Sequence, residues 1–233
     1  MGRKRGAGRG GTGDIVIIVD VLSFSSTVVT AVDHGAEIYP CPPPINEHAK
    51  ACAEQLQAQL VSGRAEARRF GGHSLSPLTF TPADEGRRFA LCSLNGAACV
   101  SLAAHVPALI VGCLLNASAA AGVANRLKRE LKANITVVPC GEKWPDAREN
   151  ENRLRPGIED YLGAGIILSG LEGSKSPEAE VCIGAFASSR TRLAELVWDP
   201  ASGRELREKG CEQDVLYCAQ TDISGVVPVL RGG

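Results

Sequence analysis

Aromatic residues and long apolar runs are both scarce in this chain. Phe, Trp and Tyr make up 4% of its 233 residues, so the core must be built mainly from Ala, Val, Leu and Ile. Such cores are typical of helices packed on a β-sheet. No apolar run reaches the roughly 18 residues of a membrane-spanning helix, and no secretory signal precedes the first predicted strand. We therefore expect a cytoplasmic protein with no membrane partner.

The charge and the metal-binding side chains exclude further classes of protein. A net charge of -1 argues against nucleic acid as a partner. The four histidines are scattered along the chain, which argues against a zinc site built from histidine. The nine cysteines lie in apolar segments and form no CxxC pair, so we expect buried free thiols rather than disulfides.

The first residues differ in composition from the rest of the chain. Residues 1–13 are rich in glycine, carry four basic side chains and contain no acid. The string from Gly6 to Gly11 matches GxGxxG, but it precedes the first predicted strand, whereas a dinucleotide-binding loop follows one. We predict a disordered basic leader over residues 1–13 and one α/β domain over residues 14–233.

The stretch from Asp14 to Thr30 has the pattern of a strand, a polar turn and a helix. Ile15 to Val19 is a β-branched run, which is typical of a strand buried on both faces of a parallel sheet. The strand ends at Asp20, and open α/β sheets bind their ligands at this end of their strands. We predict that Asp20 is catalytic and that the hydroxyls after it bind substrate, namely those of Ser23, Ser25, Ser26 and Thr27.

The same pattern recurs where three later predicted strands end. These ends carry Asn95-Gly96, Asn116 and Gly141-Glu142. If the strands are parallel, all these turns meet Asp20 at one edge of the sheet. Backbone N–H groups at helix starts bind anions, so we predict that Asn95, Gly96 and Asn116 contact an anionic substrate. Carboxylates at such an edge also suit Mg²⁺, which binds one or two of them together with phosphate oxygens and water.

Other segments supply further candidates and further expectations of secondary structure. We predict that the helix after Pro156 carries Glu159 and Asp160 in its first turn, where acids favour the helix dipole. Residues 62–72 are bounded by glycine and are predicted to form a surface loop that holds Arg64. The segments Asp214 to Cys218 and Gly225 to Leu230 are predicted to be short final strands, or a strand and a tail.

Taken together, these motifs resemble the 2-phosphosulfolactate phosphatase (ComB) family. Members carry a strand that ends in Asp-x-Leu, followed by a helix start rich in Ser and Thr, and this chain has Asp20-Val-Leu22 followed by Ser23 to Thr27. The likeness continues to the end of the chain through Leu75-Ser-Pro77, Leu94-Asn-Gly-Ala97, Val111 to Asn116, Gly141-Glu142, Gly157 to Asp160 and Val227-Pro228.

The resemblance implies a fold, an activity and a site. The implied fold is a mostly parallel β-sheet sandwiched between helical layers. The implied activity is magnesium-dependent hydrolysis of 2-phospho-3-sulfolactate to sulfolactate and phosphate, a step in coenzyme M synthesis. The implied catalytic groups are Asp20, Glu142 and Asp160, the candidate metal ligands are these three and Glu159, and Arg64 belongs to a motif near the site.

Several alternatives remain open at this stage. Asp20 either binds the metal ion or attacks phosphorus as a nucleophile, although the haloacid dehalogenase pattern needs an Asp where this chain has Leu22. Many relatives carry an arginine where this chain has Ser23, which removes one group that could bind the sulfonate. A non-catalytic anion-binding protein on the same scaffold is the second hypothesis. Apolar helices and candidate exposed thiols are compatible with a homodimer.

Overall fold

The computed structural model describes residues 13–144 and 154–230, which form ten helices and eight strands. The predicted leader over residues 1–13 lies outside these ranges except for Gly13. The strands are β1 (Ile15–Val19), β2 (Glu37–Cys41), β3 (Gln59–Leu60), β4 (Arg88–Cys92), β5 (Ala108–Gly112), β6 (Ile135–Pro139), β7 (Glu142–Lys143) and β8 (Leu154–Arg155). The helices are α1 (Phe24–Asp33), α2 (Glu47–Gln55), α3 (Arg64–Phe70), α4 (Gly96–Leu102), α5 (Ala117–Leu131), α6 (Ile158–Gly170), α7 (Pro177–Ser189), α8 (Leu193–Trp198), α9 (Ala201–Glu208) and α10 (Glu212–Cys218).

The strands confirm the predicted α/β class with mostly parallel pairing. They form two parallel sheets rather than one, with the orders β5-β1-β6 and β2-β4-β3, and β7 pairs with β8 as an antiparallel ribbon. In the first sheet, Ile15 of β1 lies opposite Ala108 of β5 and Ile135 of β6. Parallel pairing brings the carboxyl ends of these strands to one edge, which is where the sequence predicts the site.

Strand β1 lies between two hydrophobic layers because its side chains alternate between the two faces of the sheet. Ile15, Ile17 and Val19 pack in one core with residues of α5 and α6. Val16 and Ile18 pack in the other core with residues of α1, α4 and β4. This burial on both faces explains the continuous β-branched run, and it holds the end of β1 rigidly at the centre of the fold.

Two predictions of secondary structure were wrong. Residues 62–72, predicted as a loop, contain helix α3, because a run of good helix formers lies between Gly63 and Gly71. The segment Asp214 to Cys218, predicted as a strand, belongs to helix α10. Its buried residues Val215 and Cys218 are three apart, which is a helical spacing rather than the alternation of a strand.

The segment Gly225 to Leu230, predicted as a final strand or a tail, forms a single isolated bridge and no strand. Its backbone runs antiparallel to β5, with a bridge between Val229 and Ile110 and a hydrogen bond from Val111 N to Pro228 O of 2.9 Å. This pairing covers the free edge of β5. Within the described ranges, every helix is too short or too polar to cross a lipid bilayer.

Candidate active site

Asp20 ends β1 and is held by two backbone N–H groups. Its carboxylate is 5% exposed; Oδ1 accepts a hydrogen bond from Phe24 N at 3.1 Å and Oδ2 accepts one from Gly96 N at 2.9 Å. Gly96 begins α4, and a Cβ atom at this position would overlap the Phe24 ring. Only glycine therefore lets the start of α4 come close enough to bond Asp20.

Asp160 holds the same turn from the other side. Oδ1 of Asp160 accepts a hydrogen bond from Val21 N at 2.7 Å, and Oδ2 accepts one from Gly141 N at 2.9 Å. The residue is 3% exposed and does not line the cleft described below. Asp160 thus joins the turn after β1 to the turn after β6. These two hydrogen bonds explain an acid in the first turn of α6, in addition to its effect on the helix dipole.

The predicted hydroxyl cluster divides between local structure and the site. Ser25 Oγ accepts a hydrogen bond from Asp20 N at 2.9 Å, and Ser26 Oγ donates one to Val21 O at 2.8 Å. Thr27 is fully buried, and its hydroxyl has no hydrogen-bond partner among the described residues. Ser23 alone of the four lines the cleft, and its Oγ accepts a hydrogen bond from Arg64 Nη2 at 2.7 Å.

Arg64 is held in place by Asp214, which the sequence did not indicate. Its guanidinium lies 3.5 Å from Asp214 Oδ2, and Ser76 Oγ donates a hydrogen bond of 2.5 Å to the other oxygen of Asp214. Asp214 is buried in α10, so this pair fixes the direction of the guanidinium. Ser76 belongs to the Leu-Ser-Pro motif, which was the one available signal for this contact.

Asn95 and Glu142 bring the ends of the two sheets together. Asn95 follows β4 of the second sheet, and its side-chain nitrogen donates a hydrogen bond of 2.8 Å to Oε1 of Glu142, which follows β6 of the first sheet. Lys143 N donates a second bond to the same oxygen at 2.9 Å. The prediction that these turns meet holds even though their strands belong to different sheets.

Asn116 lies apart from this group. It is fully buried; its Oδ1 accepts a hydrogen bond from Cys113 N at 3.0 Å, and its side-chain nitrogen donates to Val226 O at 2.9 Å. These bonds fasten the C-terminal segment to the end of β5. The structure therefore gives Asn116 a local structural contact instead of a place in the cleft.

The cleft at the carboxyl ends of the strands has a volume of about 360 Å³. Five of the predicted site residues line it: Asp20, Ser23, Arg64, Asn95 and Glu142. The cleft is also lined by residues that were not predicted, including Ser202, Glu205 and Lys209 from α9 and the turn after it. It is large enough for a small phosphorylated acid, and its walls carry charges of both signs.

The family model described as 2-phosphosulpholactate phosphatase matches residues 5–233 of this chain. The chain belongs to this family. It is similar to a probable 2-phosphosulfolactate phosphatase of Carboxydothermus hydrogenoformans, with 32% identity over 91% of this chain and 84% of the other. It is also similar to the 2-phosphosulfolactate phosphatase of Methanothermobacter thermautotrophicus, with 28% identity over 94% of this chain and 88% of the other.

In this member of the 2-phosphosulfolactate phosphatase family, burial and neighbouring acids raise the pKa of two carboxyl groups, those of Asp20 and Asp160. Burial raises the pKa of Asp20 to about 6; the N–H groups of Phe24 and Gly96 lower it, and Glu142 and Glu159 raise it further. Burial also raises the pKa of Asp160, and the negative charges of Asp20 and Glu159 add to the effect. Such a group of acids favours the binding of a cation.

The acidic residues near the cleft can be compared with the ligands that Mg²⁺ requires, since the family resemblance implies this ion. No three His, Cys, Asp or Glu residues of the described ranges are arranged to hold a metal ion. Mg²⁺ needs fewer protein ligands, since it commonly takes one or two carboxylates and completes its shell with water and phosphate oxygens. Asp20 and Glu142 both line the cleft, and Oε2 of the buried Glu159 has no described hydrogen-bond partner. The residues therefore fit a magnesium ion shared with substrate.

Proposed function

We propose that this protein hydrolyses the phosphate monoester of 2-phospho-3-sulfolactate, or of a closely related phosphorylated hydroxy acid, to the free hydroxy acid and phosphate. The observation that carries the proposal is the cleft itself, in which Asp20 and Glu142 share the walls with Ser23 and Arg64. Carboxylates beside an oriented guanidinium suit a phosphate that is bound together with a divalent cation. Family membership supports the same chemistry, and the pathway that we propose for it is coenzyme M synthesis.

We propose that Ser23 and Arg64 orient the phosphate. Arg64 already donates to Ser23 Oγ, so its guanidinium is aimed at the wall that carries the turn after β1. The planar guanidinium can donate two parallel hydrogen bonds to phosphate oxygens, and its pairing with Asp214 keeps it in place when no substrate is bound. Asn95 lines the same cleft. Its side-chain nitrogen can donate to an anionic substrate oxygen if it gives up its hydrogen bond to Glu142.

We propose that Asp20 and Glu142 hold the magnesium ion; Glu159 and Asp160 are buried outside the lining of the cleft and would add negative charge near it. The ion would neutralise charge on the phosphoryl group and favour attack on phosphorus in line with the leaving oxygen. Glu142 keeps its Oε1 in bonds to Asn95 and Lys143, which orients the carboxylate toward the cleft. A carboxylate held in this way can accept a proton from an attacking water. Asp160 acts by positioning the turn, since both its oxygens accept backbone N–H groups.

Asp20 has two chemically distinct roles open to it. As a ligand it holds the cation while water attacks phosphorus; as a nucleophile it forms an aspartyl phosphate that water then hydrolyses. Rapid acid quench followed by peptide mass spectrometry separates the two. A phosphorylated Asp20 peptide at substrate saturation supports the nucleophile, and its absence during steady turnover supports the ligand.

The proposed function is tested by phosphate release from a panel of phosphorylated hydroxy acids, with magnesium and again with a chelator. We expect turnover of 2-phosphosulfolactate that the chelator abolishes and that Asp20→Asn lowers by at least about a hundredfold. Asp33→Asn, an exposed acid at the end of the same helix α1, is the matched control and should retain activity.

Three other results of these assays would change the proposed function. Turnover of only unsulfonated acids would keep the chemistry and discard the role in coenzyme M synthesis. Full activity of Asp20→Asn would remove Asp20 from the mechanism. No turnover of any compound would favour the second hypothesis, a non-catalytic protein that binds anions in the same cleft. The predicted cytoplasmic location and homodimer stay predictions.

A further inference from the structure

Lys209 lines the same cleft as Asp20 and was not among the predicted site residues. It follows α9 directly, and its side chain is exposed. No carboxylate of the described ranges forms an ion pair with its ammonium group, whereas Arg64, the other basic residue that lines the cleft, faces Asp214. Lys209 is therefore the one basic residue lining the cleft, among the described residues, whose charge is not already neutralised.

The partners of the other charged groups support this assignment. Arg64 faces Asp214 at 3.5 Å and donates to Ser23. Glu205, which shares the cleft wall with Lys209, is paired with the buried Arg155 at 3.0 Å. Beyond Arg64, which is proposed to orient the phosphate, the charges that remain for substrate are the carboxylates at the ends of the strands and the ammonium group of Lys209.

Lys209 and Arg64 also lie on one wall. Both line an adjoining cavity of about 500 Å³ in addition to the cleft that contains Asp20. Asp20, Asn95 and Glu142 are linked to one another through the start of α4 and do not line that second cavity. The cleft thus has carboxylates at the strand ends, and Arg64 and Lys209 lie on the opposite part, where Glu205 is paired with Arg155 and Glu208 lines only the adjoining cavity.

On the basis of the proposed function, we propose that Lys209 binds the second strongly acidic group of the substrate, the sulfonate. A sulfonate stays anionic at neutral pH, and carboxylates that are already committed to the phosphate end and its cation would repel it. An ammonium group on a flexible stem can follow such an anion without displacing an ion pair. Lys209 then determines the preference for sulfonated over unsulfonated phosphorylated hydroxy acids.

A second explanation for a lysine at this position makes a different prediction. A cation at the end of a helix interacts with the helix dipole, which affects stability alone. Removal of the charge would then change the melting temperature and leave KM unchanged. A substrate contact changes KM in a way that depends on which acidic groups the substrate carries.

The experiment compares two substrates that share the phosphate and the carboxylate, 2-phosphosulfolactate and 2-phospholactate. We expect Lys209→Gln to raise KM for the sulfonated compound about tenfold, the effect of losing roughly one charge-assisted hydrogen bond, with kcat changed less than about twofold. KM for 2-phospholactate should change less than about twofold. Lys209→Arg should stay close to the wild type because it keeps the charge.

Arg204→Gln is the matched control, since it removes one positive charge from the exposed face of the same helix and Arg204 does not line the cleft. It should leave both KM values unchanged. An equal rise in both KM values in Lys209→Gln would overturn the proposal, because the contact would then be to a shared group. No change in either value would overturn it as well.

A failure of the proposed function would be seen in the wild-type protein, and it can be distinguished from a failure of the proposal for Lys209. If the wild type releases phosphate from neither compound, titration calorimetry with sulfolactate tests Lys209 directly. Binding to the wild type that is at least about fivefold weaker in Lys209→Gln would support the sulfonate contact. Equal binding by both proteins, or none by the wild type, would overturn it.

Discussion

The Asp20 carboxylate accepts a hydrogen bond of 2.9 Å from the backbone N–H of Gly96, which lies 76 residues further along the chain. This bond connects the central strand of one sheet to the helix that follows the central strand of the other. The cleft exists because these two chain segments meet, and the absence of a side chain at Gly96 is what permits the contact.

Replacement of Gly96 by alanine tests this contact. Its Cβ would overlap Phe24 in the core, so we expect a destabilisation of about 1 to 3 kcal/mol and a large loss of activity as α4 moves away from Asp20. Thermal unfolding and kcat are the measurements. Gly122→Ala, at an exposed and uncrowded site within α5, should keep activity and be equally or more stable. Equal behaviour of the two variants would contradict the role of Gly96.

Asp160→Asn tests whether this acid positions the turn. Both oxygens of Asp160 accept backbone N–H groups, so an amide would place its own N–H₂ against one of these donors. We expect a stability loss of about 1 to 3 kcal/mol and reduced kcat. Asp222→Asn is the control: Asp222 also accepts a backbone N–H, from Ser118 at 2.7 Å, but this bond is at the start of α5 and not at the turns after β1 and β6, so kcat should stay unchanged. A variant Asp160→Asn with native stability and activity would refute the assignment.

Arg64→Lys tests the orientation of the guanidinium. Lysine keeps the charge but lacks the fork that reaches Ser23 and faces Asp214, so we expect KM for a phosphorylated substrate to rise about tenfold. Arg68→Lys changes a neighbouring arginine of α3 that bonds to Gly210 O at 3.3 Å and does not line the cleft. It should leave KM unchanged, and similar KM values for the two variants would remove Arg64 from substrate binding.

Cys99 is expected to be the most reactive of the thiols. A hydrogen bond from Cys140 lowers the pKa of Cys99 to about 7, against the opposing effects of burial and of Asp20. Because the thiolate is the nucleophile, alkylation of Cys99 should increase as the pH rises through about 7. Peptide mass spectrometry after brief treatment with iodoacetamide measures this rate. Cys140→Ala should move the midpoint upward, and an unchanged midpoint would contradict the proposed hydrogen bond.

Much of the fold was predictable because local rules decide it. The β-branched run of β1 and the Asn and Gly residues at helix starts follow from backbone and side-chain preferences. The errors at α3 and α10 occurred where the periodicity extended over only about seven residues. Short segments of this kind take their structure from packing against neighbours.

The candidate site was predictable in part for a related reason. Parallel strands place their carboxyl ends together, so Asp20, Asn95 and Glu142 could be grouped from the pattern of strands and turns. The same argument included Asn116, whose side chain instead forms a hydrogen bond to the C-terminal segment. It gave no indication of Lys209, which lines the cleft from the end of α9, or of Asp214, which faces Arg64 from α10, because no motif connects these segments to the strand ends.

By itself, the sequence determined the class of fold, the order of its strands along the chain and the acid at the end of the central strand, since these depend on short-range hydrophobic patterns. Tertiary structure alone decided that the strands divide into two sheets, that Asp160 holds the turn after β1, that Asp214 faces Arg64, and that Lys209 lines the same cleft as Arg64. Those contacts join residues far apart in the chain, and their partners are selected by packing geometry, which no local pattern encodes.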